Sequence, residues 1–149
     1  MKILVVGAGA LGENIVQKMW EKWIIIATMA GANCLMRAAL GDIVQAGATA
    51  LPLSLLREIA AIADSNGHGP DETFMANQRK AFSNPDSTHT ASMLKDIEKG
   101  KPIEADHIFG DLLARIPAGT EAGYPMLRLV YDHLKSYEAR RARETAASF

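Results

Sequence analysis

The chain has one cysteine, Cys34, among 149 residues, so no disulfide can form within it. A single thiol fits a reducing compartment such as the cytoplasm. Charge excess is missing too. Sixteen basic and 17 acidic side chains leave a net charge of −1, which removes the electrostatic case for nucleic acid or an anionic membrane surface as a partner. No apolar run is long enough to span a bilayer. The most apolar stretch, Trp23 to Met36 between Lys22 and Arg37, falls short of the about 20 residues a spanning helix needs and reads as a buried core helix. The first residues carry one lysine and no typical cleavage region, so they do not read as a signal peptide. No spacing of His, Cys, Asp or Glu suggests a metal site. Neither an internal repeat nor a low-complexity tract is present.

Strands are scarce as well, and the one that can be read stands at the start. Residues 2–6, Lys-Ile-Leu-Val-Val, form an apolar run that leads into Gly7, Gly9 and Gly12. These occupy the three glycine positions of a dinucleotide fingerprint: the tight turn, the close approach to pyrophosphate, and the packing of helix on strand. The alternating strands and helices that complete such a domain do not follow. A glycine turn without its sheet cannot hold a dinucleotide, and the same glycines also read as a flexible arm. Residues 1–12 are therefore the residual start of a nucleotide-binding domain, with Gly7, Gly9 and Gly12 a vestigial cofactor site. Residues 13–149 form a separate helical domain.

From Glu13 onward helical signals dominate. Glu13 to Ala39 is expected as one long helix, with Ile15, Met19, Trp20, Trp23, Ile26 and Ala27 at helical spacing. Gly31 weakens it but permits a close neighbour. Asp42 is expected to cap a short helix through Gln45, and Thr49–Ser65 follows with Pro52 in its first turn. Asp71–Phe82, Asp86–Lys99, Glu104–Arg115 and Tyr124–Arg143 complete the set, separated by Gly- and Pro-containing breaks. The fold class is all-α, a compact bundle of six or seven helices by this count of breaks, preceded by the short strand and glycine segment. Met19, Met29, Met36 and Cys34 read as core filler.

Residues 92–110 run Ser-Met-Leu-Lys-Asp-Ile-Glu-Lys-Gly-Lys-Pro-Ile-Glu-Ala-Asp-His-Ile-Phe-Gly. This resembles the signature of the ketopantoate reductase (2-dehydropantoate 2-reductase) family in its helical C-terminal domain. Upstream, Met19-Trp20-Glu21-Lys22-Trp23 is similar to the family's Trp-x-Lys helix. Downstream, Gly123-Tyr124-Pro125-Met126-Leu127 is similar to the region before its last helix. The resemblance covers residues 13–140. It implies a bundle of the 6-phosphogluconate dehydrogenase C-terminal type and an NADP-dependent oxidoreductase of pantothenate biosynthesis, reducing the keto group of ketopantoate in a cleft between two domains. It further implies that Lys22 is the catalytic lysine, Glu104 the active-site glutamate and Ser92 the substrate-binding serine.

That chemistry suits the residue types. An ammonium stabilises the charge that develops on a reduced carbonyl oxygen and can deliver a proton. A carboxylate orients that ammonium, and a hydroxyl holds a substrate carboxylate. The sequence departs from the family pattern at Ile26, Ala30 and His89, where members typically carry asparagine. Asn33 returns to the helix face of Lys22 but about 16 Å further along the axis, too far to share a small ligand. Read without the resemblance, Lys22 is a lysine reaching out of a buried helix, Ser92 a helix-start serine, and Glu104 an acid favoured by a helix dipole. Two functions remain in view. One is the substrate-side domain of a keto-acid reductase, inactive alone for want of most of its nucleotide-binding domain. The other is a non-catalytic helical homodimerisation module. Either is expected to be a homo-oligomer, because an apolar segment such as Ile3–Val6 without a sheet invites pairing.

Overall fold

The computed structural model describes residues 10–148. The strand expected over residues 2–6, with Gly7 and Gly9, lies outside them. Among the described residues there are seven α-helices and no strand. They are α1 (Ala10–Met36), α2 (Leu40–Gln45), α3 (Ala50–Ser65), α4 (Glu72–Ala81), α5 (Ser92–Glu98), α6 (Asp111–Leu113) and α7 (Pro125–Ala147). A single π-helical turn, Asp106–Gly110, runs into α6, and a 3-10 turn, Glu121–Gly123, precedes α7. Among the described residues no helix is long and apolar enough to cross a membrane.

The long first helix is the axis of the bundle. α3, α5 and α7 all pack on it, and its middle is buried nearly all round, from Trp23 and Ile24 through Ala27, Ala30, Ala32 and Cys34. A helix apolar on every side must lie inside. Gly31 sits where α1 meets two neighbours: a Cβ there would come 3.1 Å from Leu55 of α3 and 3.4 Å from Val130 of α7. The helix starts at Ala10, so Gly12 belongs to α1 rather than to a loop before it. Trp20, Trp23 and Ala27 of the expected stripe are buried, but Val16 is buried where Ile15 is expected, and Ile15 and Met36 are exposed.

Local chemistry explains most of the ends. Arg37 adopts the left-handed conformation (φ 54°) and closes α1. The N–H of Ala38 then bonds back to Asn33 O at 3.3 Å, the long bond of a Schellman turn. Asp71 caps α4 by accepting the Phe74 N–H at 2.8 Å. Asp42, expected as a cap, is instead the third residue of α2, and its carboxylate reaches back to the Ala39 N–H at 3.2 Å. The helix expected over 86–99 is confined to Ser92–Glu98. Residues 82–86 form turns instead, and 87–91 are held by main-chain bonds to α2, Leu40 N–H to His89 O at 3.1 Å and Gly41 N–H to Ser87 O at 2.8 Å. The expected helix 104–115 is broken into the π turn and α6.

One buried carboxylate organises the far end of the bundle. Glu58 of α3 accepts the N–H groups of Met126 (3.2 Å) and Leu127 (2.9 Å). These are unpaired donors of the first turn of α7, so a side chain 68 residues distant from Met126 supplies the cap that Tyr124 does not.

Candidate functional site

The residues singled out by sequence converge on one face, built from α1, the start of α5 and the segment that leads into the π turn. Ser92 is the first residue of α5 and exposed. Glu104 precedes the π turn and is also exposed. Both line a hollow of about 240 Å³ together with Asp96, Pro102 and Ile108. Glu104 and Ile108 line a second hollow of about 360 Å³, shared with His107 and with Ile26 of α1. Ile26 and Ser92 line a third of about 530 Å³. Shared lining residues make the three neighbours.

Lys22 stands one helical turn before Ile26 on the same side of α1. It is exposed, and it lines none of these three hollows. No described residue pairs with its ammonium through a hydrogen bond or ion pair. The structure therefore gathers Ser92, Glu104 and Ile26 around neighbouring hollows, with Lys22 one turn away on α1. Ala30 is buried in the core and offers nothing to this face.

Two sets of contacts hold the wall in shape. The Trp23 indole N–H donates to Ile108 O at 3.0 Å, tying α1 to the π turn next to Glu104. Trp20 stacks on Trp23 with ring centroids 5.0 Å apart, and the Arg115 guanidinium lies 5.2 Å from the centre of the Trp23 ring. On the other side, Asp106 accepts from the Tyr131 hydroxyl at 2.6 Å and from Lys135 at 2.9 Å, pinning the turn to α7. The Tyr131 hydrogen bond, and after it the Lys135 bond, hold the Asp106 carboxyl below the usual carboxylate range. A π turn inserts an extra residue into a helix and recurs at functional sites. Here it directs residues 104–108 toward α1.

Ser92 has a support that sequence reasoning missed. Asn33 is buried, with its side-chain oxygen accepting the Ala91 N–H at 2.7 Å and its amide donating to Ala38 O at 2.9 Å. The asparagine that looked too distant to meet a ligand instead sets the residue before Ser92. Its only sequence signal is a polar residue inside an apolar helix. Among the described residues no three His, Cys, Asp or Glu side chains cluster as metal ligands.

Known proteins resemble this chain in sequence and fold. In sequence the chain is 29% identical over 130 residues to an uncharacterized oxidoreductase, YkpB, of Bacillus subtilis (strain 168), covering 86% of this chain and 42% of that one. In structure it superposes on 2-dehydropantoate 2-reductase from Methylococcus capsulatus with a TM-score of 0.73 and 27% identity, over 87% of this chain and 41% of that one. The dimeric ketopantoate reductase from Staphylococcus aureus shares the fold, with a TM-score of 0.71 and 19% identity over 90% of this chain and 52% of that one. The chain thus spans less than half the length of the first two. Residues 14–138 match the family model described as ketopantoate reductase PanE/ApbA C terminal, and the chain belongs to that family.

Proposed function

We propose that the concave face around Ile26, Ser92 and Glu104 is the substrate-side wall of a reductase acting on a small 2-keto acid, with NADP as the redox partner. The observation that carries this is the convergence itself: adjoining hollows share Ser92, Glu104 and Ile26, one turn from Lys22. Reducing a ketone builds negative charge on its oxygen. The Lys22 ammonium neutralises that charge and supplies the proton. Glu104 orients the ammonium. Ser92 donates its hydroxyl to the substrate carboxylate.

Of the glycine fingerprint, the described residues include Gly12 alone. Gly12 is buried within α1, and among them no strand leads into a glycine turn. We assign cofactor binding to a nucleotide-binding domain facing this wall and expect no turnover from the 149-residue chain alone. The test has two arms. Pantoate titrated into the chain shifts the amide resonances of Ser92 and its neighbours, and Ser92→Ala abolishes the effect. NADPH consumption with ketopantoate is absent for the chain alone and appears when the nucleotide-binding half of a relative is supplied, then is lost in Lys22→Ala. Turnover by the chain alone, or pantoate shifts confined to other surfaces, would overturn the proposal.

The second reading, a helical homodimer without chemistry, draws on α7, where Leu129 is 51% exposed. Light scattering that gives twice the chain mass, reduced to the chain mass by Leu129→Lys, supports it. A monomer at working concentration removes it.

A further inference from the structure

The largest of the three adjoining hollows, at about 530 Å³, lies within the size range of small-molecule sites. The side supplied by α1 is wholly apolar: Ile25, Ile26 and Met29. Phe82, at the end of α4, adds a further apolar surface. Ser92 belongs to the same hollow and also to the one that contains Glu104. A molecule whose carboxylate meets Ser92 thus has a hydrocarbon wall on one side and the Glu104 carboxylate on the other. The remaining polar groups, Gln78, His89 and Thr90, come from α4 and the extended segment before α5, not from α1.

We propose that this hollow selects 2-oxo acids with an unhydroxylated, branched hydrocarbon side chain, and that Ile26 and Met29 are the residues that discriminate. The proposal rests on the reading of Ser92 as the carboxylate anchor. A hydroxyl turned toward α1 leaves water without gaining a partner there, whereas a methyl in the same place is in its preferred surroundings. Ile26 matters most because it lines both this hollow and the one shared by Glu104 and His107, so it borders the reacting end of the ligand as well as its side chain.

The experiment uses a matched pair of ligands, 3,3-dimethyl-2-oxobutanoate and its 4-hydroxy derivative, ketopantoate. They differ by one hydroxyl. Each is titrated into the 149-residue chain and followed through its amide resonances. The unhydroxylated acid is expected to bind about tenfold to a hundredfold tighter, up to the scale on which an apolar pocket resists an added hydroxyl, with the largest shifts at Ile26, Met29 and Ser92. Ile26→Asn brings the two affinities together. Met29→Gln, at a second half-buried position, does so in part and serves if the first variant fails to fold. Ser92→Ala weakens both acids and leaves their ratio unchanged. Equal or reversed affinities in the parent chain, with both acids still shifting Ser92, overturn the selectivity alone. A ratio unmoved by either folded α1 variant overturns the role of Ile26 and Met29. If neither acid shifts Ser92, the anchor reading falls and this proposal falls with it.

Discussion

The side-chain oxygen of Asn33 accepts the N–H of Ala91 at 2.7 Å, joining the last turns of α1 to the residue just before Ser92. The same side chain donates to Ala38 O at 2.9 Å. One buried amide therefore closes a long helix and fixes the approach to the site. Asn33→Ala strands two buried partners, Ala91 N–H and Ala38 O. At roughly 1–3 kcal/mol for each unsatisfied group, the loss of unfolding free energy is expected to be about 2–6 kcal/mol by urea titration. Hydrogen exchange at Ala91 should speed up more than exchange in α3. Loss below about 0.5 kcal/mol, the ordinary scatter of surface substitutions, would show that water replaces the side chain at no cost.

Glu58 and Leu127 form the corresponding link at the other end, where the carboxylate takes two N–H groups of the first turn of α7. Both effects of a carboxylate at a helix start act together, the hydrogen bonds and the favourable dipole. Glu58→Ala is expected to cost about 2–3 kcal/mol. Glu58→Gln should cost less, because one amide oxygen still accepts while the charge is gone. Circular dichroism during denaturation checks whether α7 melts with the rest or ahead of it.

Features set by neighbours in sequence could be read from it. Asp71 caps α4 three residues before its bonded partner Phe74, Pro52 stands in the first turn of α3, and Gly31 marks a close crossing. The 92–110 pattern carries both candidate residues, Ser92 and Glu104, because they belong to one local run. What failed depends on partners far along the chain. Residues 86–91 carry a helix-compatible pattern, yet α2 and Asn33 supply better partners for their backbone. Asp42 sits where a cap would be expected, but no Ser or Thr precedes α2, and its carboxylate serves as the reaching half of a capping box. Asn33 and Glu58 are polar residues in apolar surroundings, and a one-dimensional pattern does not say which distant N–H they meet. The concavity of the site has the same origin, since Ile26 meets Ser92 and Glu104 only after α1, α5 and the π turn have packed.

Gly41 offers a sharper test of packing. A Cβ at this position would collide with Ser87 O, and it would lie 2.6 Å from Pro85 O and 3.0 Å from Ser87 N. All three are backbone atoms of the segment that carries His89, so no side chain can swing aside. Gly41→Ala gains about 1 kcal/mol of helix propensity, but the overlap is expected to outweigh it and give a net loss of about 1–3 kcal/mol. Gly47→Ala is the control. Its Cβ meets nothing within 4 Å, and the cost there comes from φ of +82°, about 1–2 kcal/mol. The two variants should differ in kind. Gly41→Ala should perturb resonances of 85–89, and Gly47→Ala should not.

Cys34 supplies the pH dependence. Burial, partly opposed by Arg37 and reinforced by Glu98, pushes its thiol from 9.0 up to about 12. The folded state therefore keeps the proton that the unfolded chain releases. The resulting stability is fully present below pH 9.0 and is lost as pH rises toward 12. The slope attributable to this one group is about 1.4 kcal/mol per pH unit across that window. Tyr131, raised chiefly by its hydrogen bond to Asp106, titrates in the same alkaline direction, so the Cys34 contribution is read as the difference between the parent chain and Cys34→Ala. That variant should flatten the alkaline fall while costing little near neutrality. A thiol reagent at pH 8 should label Cys34 only as fast as the bundle opens. Rapid stoichiometric labelling of the folded chain would contradict the buried, protonated thiol.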